Sequence, residues 1–163
     1  MIQLNAITHF GWKTEGGVAI ELALVLPILI ALIIGLVQVG LVGMMSNSLD
    51  SSMVVAARMI RTGRSDGPAD GAGFKTLVCA QLPVSSADCG ARLSYGVQKF
   101  DDFASAQAGS SGALSGQFDK GGPGDVILVR ATYRLALFPV PLAPLPNEIV
   151  LDARTTFKNE PYA

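Results

Sequence analysis

Few side chains in this sequence are placed to do chemistry, and the most informative is a carboxylate. Glu21 follows the pair Gly16-Gly17 by four residues and stands directly ahead of an almost unbroken apolar run. An acid inside a membrane-length helix costs a few kcal/mol at the bilayer centre and less near the interface. Two roles suit it: pairing with a partner cation, or complementing the positive end of its own helix. Gly16-Gly17 offers a flexible, side-chain-poor helix start. Cys79 and Cys89 are spaced neither as a zinc pair nor as a redox C-x-x-C. A disulfide closing a short loop is expected if they face an oxidising compartment, two free thiols being the alternative. Arg58, Arg61 and Arg64 either form a basic edge for a neighbour or complement the negative end of a helix.

The inventory for catalysis is thin. His9 is the single histidine and precedes the apolar run, and Asp101-Asp102 are adjacent acids in a Gly/Ser-rich stretch, where such pairs are usually solvated. No catalytic residue, metal-ligand set or cofactor motif is expected. The 12 basic and 13 acidic side chains nearly cancel, and with no basic face evident this argues against nucleic acid as a partner.

The elements that must position these residues begin with one long helix. Leu22 to Met45 is 24 residues with only Gln38 conventionally polar. At 1.5 Å per residue that is about 36 Å of helix against a bilayer core of about 30 Å. Val18 to Thr62 reads as one helix, kinked or loosened at Pro27 and stopped by Gly63. Past Met45 it becomes amphipathic, with Met45, Leu49, Met53, Ala56, Ala57 and Ile60 on one stripe. Gly35, Gly40 and Gly43 would let neighbouring helices approach closely in lipid.

The turn-rich residues 64–71 read as a loop, and Phe74 to Leu82 as a short helix. Arg92 to Phe100, Asp125 to Leu137 and Glu148 to Phe157 alternate as strands. Asp101 to Gly124 is expected to be a loop with a helical turn around Phe103, and the four prolines of Phe138 to Pro146 suit a rigid crossover. The fold expected is α+β: a long N-terminal helix, transmembrane and then amphipathic, packed on a small antiparallel sheet of three strands with one wet face.

A secretory signal peptide puts a short apolar core ahead of its small-residue cleavage site. Here the small residues come first and the apolar run is too long, an order that fits a short cytoplasmic leader cut away from a retained helix. The stretch Gly16-Gly17-Val18-Ala19-Ile20-Glu21-Leu22-Ala23-Leu24-Val25-Leu26-Pro27 resembles the start of type IV pilin-like subunits, most closely the TadE-like pseudopilins of tight-adherence (Tad) pili. Ala56-Ala57-Arg58 near the helix end and Lys158-Asn159-Glu160-Pro161 near the end of the sequence add to the resemblance.

The resemblance implies that a prepilin peptidase cuts after Gly16, making Gly17 the first residue and Glu21 the fifth. The Glu21 carboxylate would then neutralise the new ammonium of its own or an adjacent subunit. The implied division is a cytoplasmic leader over residues 1–16, a long helix over 17–63 with its transmembrane half near 18–45, and a small extracytoplasmic α+β domain over 64–163. The implied function is that of a minor pilin-like structural subunit, not an enzyme, supporting pilus biogenesis and surface adherence. Its partners would be the prepilin peptidase, other pilin and pseudopilin subunits, an inner-membrane assembly platform and membrane lipid. It would sit in the bacterial inner membrane with its domain outside, and on the pilus or cell surface after assembly. The competing reading is a single-pass anchored envelope domain that binds a partner or ligand and never enters a filament.

Overall fold

The computed structural model describes residues 15–112, 114–139 and 146–161. Most of the expected leader and most of the proline-rich crossover, residues 140–145, lie outside them.

Helix α1 runs from Glu15 to Arg61 and continues through Pro27 without a break in its assignment. Its end follows from local chemistry. Gly63 takes a positive φ of 61°, its N–H donates to the Ile60 carbonyl, and the Arg64 N–H donates to the Met59 carbonyl. This reciprocal pair closes the last turn and needs a residue that tolerates the left-handed region, which glycine does.

The two halves of α1 meet different surroundings. Met45, Leu49, Met53, Ala56 and Ile60 are buried in the main core, as the stripe in the sequence predicts. From Val18 to Leu41 the large apolar side chains are mostly exposed, Val18 by 71% and Val39 by 73%. Among the described residues α1 is the one helix long and apolar enough to cross a membrane, and none of its most apolar window is buried.

Helix α2 spans Gly71–Cys79, capped by Asp70, whose carboxylate accepts the Gly73 N–H at 2.7 Å. It therefore starts three residues before the expected Phe74 and ends before Leu82, because an N-cap aspartate satisfies a donor that the helix leaves open. Helix α3, Ser86–Arg92, was not expected; Ser85 caps it by accepting the Asp88 N–H. Strand β1 covers Leu93–Phe100. Helix α4, Phe103–Gly109, replaces the single turn expected there, held by a capping box in which Asp102 and Ser105 each satisfy the other's backbone N–H. Strands β2, Val126–Ala136, and β3, Glu148–Lys158, complete the chain.

The sheet is antiparallel in the order β1-β2-β3, with Leu93 opposite Tyr133 and Ala131 opposite Ala153. One face carries Ile127, Val129, Ala131, Tyr133, Leu151 and Ala153 into the core built on the second half of α1, with Phe74 and Val78 of α2 closing it. Phe74 is fully buried, its ring 5.4 Å from Tyr95 and 6.2 Å from Phe118. The opposite face is not uniformly wet. Val126 and Leu128 are buried there with Ala106 of α4 and Phe100, so a short helix of small residues covers one end of the face expected to meet water.

Cys79 and Cys89 are joined as a disulfide with Cα atoms 5.7 Å apart, tying the end of α2 to α3. In the chain-entropy picture, closing so short a loop is worth about 3 kcal/mol.

Candidate functional site

The end of α1 farthest from the folded unit holds the residues that the sequence singles out. Gly16 and Gly17 lie in its first turn, where backbone N–H groups lack helical partners. A Cβ built on Gly17 would meet nothing within 4 Å. Glu21 is exposed and lies one turn further on, on the same face of the helix. A chain that began at Gly17 would thus place an ammonium and a carboxylate one turn apart at the tip of a bare apolar rod. Gly35, Gly40 and Gly43 likewise have nothing within 4 Å of a built Cβ, so close approach there is open to a neighbouring helix.

At the other end α1 is fastened to the domain. The Glu160 N–H donates to the Arg61 carbonyl at 2.9 Å, and the Glu160 carboxylate lies 3.2 Å from the Arg61 guanidinium. Asn159 is buried, and its amide donates to the carbonyls of Lys120 at 2.9 Å and Gly122 at 3.0 Å. Its backbone N–H donates to Asp125 while its carbonyl accepts from Gly124. Lys158-Asn159-Glu160-Pro161, noted in the sequence only as a resemblance, thus acts as a clasp joining β3, the 119–125 turn and the end of α1.

The three arginines do not form one basic edge. Arg61 pairs with Glu160, and Arg64 makes a two-pronged contact with Asp66 at 2.8 and 2.6 Å. That contact holds the Asp66 carboxyl below the usual range. Arg58 is exposed beside a shallow groove shared with Val54, Ala57, Thr155 and Phe157. Asp101-Asp102 is not a working acid pair, because Asp102 caps α4 and the Ser105 N–H lowers its pKa. His9 lies outside the described residues. Among the described residues, no three of His, Cys, Asp and Glu converge as a metal site would need.

Among the described residues, the one strongly perturbed group is structural. Tyr133 is buried, its hydroxyl donates to Asp88 at 3.0 Å, and Arg92 donates to the same carboxylate at 2.9 Å. The Arg92 hydrogen bond, then that of Tyr133, holds Asp88 below the usual carboxylate range. Burial first, then the hydrogen bond to Asp88, pushes Tyr133 up to about 12. The neutral phenol is the form that the fold favours. Its contribution should be complete below about pH 10, the ordinary tyrosine value, and lost as pH rises through about 12. Alkaline titration followed by phenolate absorbance should therefore show a late step near pH 12 that Tyr133→Phe removes. The Asp88 contribution runs the other way, present above about pH 4 and lost as pH falls through its lowered value.

One polar contact had only a faint sequence signal. Gln38, alone among apolar neighbours, is buried, and its amide donates to the Phe138 carbonyl. The partners are 100 residues apart, so spacing could not pair them.

The family model described as TadE-like protein matches residues 16–58, from the first glycine of the helix to Arg58. No curated protein and no solved structure matches the chain. The match ends before the domain, so it speaks to the glycine pair, Glu21 and the apolar rod, and not to the clasp. Over residues 16–58 the chain is thus similar to the TadE-like proteins.

Proposed function

We propose that the chain is the precursor of a minor pilin-like subunit, cut after Gly16 by a prepilin peptidase and built into a Tad-type pilus assembly that supports surface adherence. The leader is residues 1–16, the helix 17–63 crosses the inner membrane through roughly 18–45, and residues 64–163 lie outside the cytoplasm. An assembly platform draws the helix out of lipid among other pilin and pseudopilin subunits.

The observation that carries this reading is the state of α1. Its first half is bare apolar surface, and Glu21 stands one turn from Gly17 at the tip. Such a helix leaves lipid only when other helices bury it. The ammonium created at Gly17 and the Glu21 carboxylate then set the depth at which one helix lies against the next. Small residues at 35, 40 and 43 would permit that contact.

The test is the mature N-terminus and where the protein is found. Mass spectrometry of the chain from its native host should give a first residue of Gly17, and the chain should appear in surface material removed by shearing. An intact chain recovered only in membrane fractions, in cells whose peptidase is active, would instead identify a permanently anchored envelope domain.

A further inference from the structure

The first residues after β2 lie against α1. The Leu137 N–H donates to the Asn147 carbonyl at 2.8 Å and closes the base of the β2–β3 connection. Just beyond, Phe138 and Pro139 line an apolar hollow with Ile33, Ile34 and Val37 of α1. Gln38 bonds the Phe138 carbonyl at the same level. Phe138 is nevertheless 63% exposed, a bare aromatic ring standing beside a bare apolar helix.

The depth of this contact follows from lengths. Val18 to Met45 is 28 residues, whereas a hydrocarbon core of about 30 Å needs about 20 residues of helix. Wherever such a span is placed within those 28, from 18–37 at one extreme to 26–45 at the other, it includes Ile33, Ile34 and Val37. Any residue packed beside those three is therefore level with the hydrocarbon, between its middle and its outer edge.

Composition agrees. From Leu135 to Asn147 the sequence has no charged residue, and Pro139, Pro141, Pro144 and Pro146 bring no backbone N–H. A non-helical segment entering lipid is penalised for each unsatisfied donor and acceptor. Prolines remove donors, and the Gln38 amide satisfies the Phe138 acceptor. Remaining carbonyls still need water, which confines the contact to the interfacial rim.

We infer that Phe138 and Pro139 form a second membrane contact, in which these two residues, at the base of the β2–β3 connection, sit in the outer leaflet beside α1 and fix the domain's height and orientation on the bilayer. The inference rests on the reading of α1 as membrane-crossing and is independent of filament assembly.

The test uses the full chain in phosphatidylcholine vesicles with and without bromine on the acyl chains. The single tryptophan, Trp12, is replaced in a Trp12→Phe background, and one reporter is added at a time: Phe138→Trp, Ile28→Trp in the helix, or Phe103→Trp on α4. All three positions are more than half exposed in the folded chain, so the larger ring fits without repacking the core. Ile28→Trp and Phe138→Trp should emit at short wavelength and lose emission severalfold in brominated lipid, while Phe103→Trp should be unaffected. Quenching at 28 with water-like, unquenched emission at 138 would overturn the hairpin contact and leave the membrane helix standing. Short-wavelength emission at 138 without quenching would mean that protein covers the ring, in a second copy of the chain for example, and would also overturn it. No quenching at 28 would sink the membrane reading and the inference with it.

Discussion

Glu21→Leu should leave the chain inserted and processed in the membrane but remove it from sheared surface material. Leucine is more at home in lipid than a carboxylate, so insertion should be unaffected or improved. What the substitution takes away, on the proposed function, is the partner for an ammonium at Gly17 once that residue sits among other helices. Removing one member of a buried pair typically costs about 3–5 kcal/mol, because the remaining charge stays buried and uncompensated. At 1.4 kcal/mol per tenfold, incorporation should fall by more than about a hundredfold. Glu21→Gln is the informative companion, since it keeps shape and hydrogen bonding and loses only the charge. If quantitative immunoblots of membrane and sheared fractions give wild-type ratios for both variants, the acid has no part in register. Glu21 would then be merely a favourable group at a helix N-terminus, worth under about 1 kcal/mol.

The molecule divides its labour along one helix. The half that the domain buries supplies the stripe of Met45, Leu49, Met53, Ala56 and Ile60, while the half left mostly bare by the described residues supplies, on the proposal, membrane residence and filament contact. A small core can tolerate this because the disulfide and the clasp add constraints that do not depend on core size. Neither constraint touches the bare half, so the tip of the helix can change surroundings without disturbing the domain.

Periodicity in the sequence foretells this division well and the connections between its parts poorly. The stripe past Met45 and the alternation from Ile127 to Leu135 are visible because each side chain's surroundings are set by its own element. The alternation also implies that Val126 and Leu128 lie on a wet face, and there the reading fails, because α4 covers them. That helix buries only Ala106 and keeps Phe103 exposed, so it has almost no apolar pattern to find. Its signal was the capping pair Asp102 and Ser105, as Ser85 with Asp88 was for α3. At the candidate site, the one-turn spacing of Gly17 and Glu21 is local and could be read directly. The bonds from Gln38 to Phe138 and from Asn159 to Lys120 and Gly122 join residues distant in the chain, and only the folded topology brings them together.

The clasp provides the largest expected effect on stability. Asn159→Asp preserves size and shape, yet it replaces the one amide nitrogen that donates both bonds with an oxygen that faces the carbonyls of Lys120 and Gly122. Leaving a buried polar group unsatisfied costs about 1–3 kcal/mol, so losing both bonds should lower unfolding stability by about 2–5 kcal/mol. The loss should depend on pH in a direction that a simple packing defect would not reproduce. Burial and the facing carbonyls both disfavour ionisation, so the introduced carboxyl should titrate above its unfolded value of about 4. Below that value it is protonated in both states, can return one hydrogen bond, and the variant should come nearest to the wild type. As pH rises toward the raised folded value the deficit grows, and it is greatest near neutrality. Denaturant melts of the two chains in the same detergent, taken at acid and neutral pH, read this directly. A deficit that does not change with pH, or one below about 1 kcal/mol, would mean that Asn159 merely fills space. The end of β3 would then hold to Arg61 through the Glu160 contacts alone.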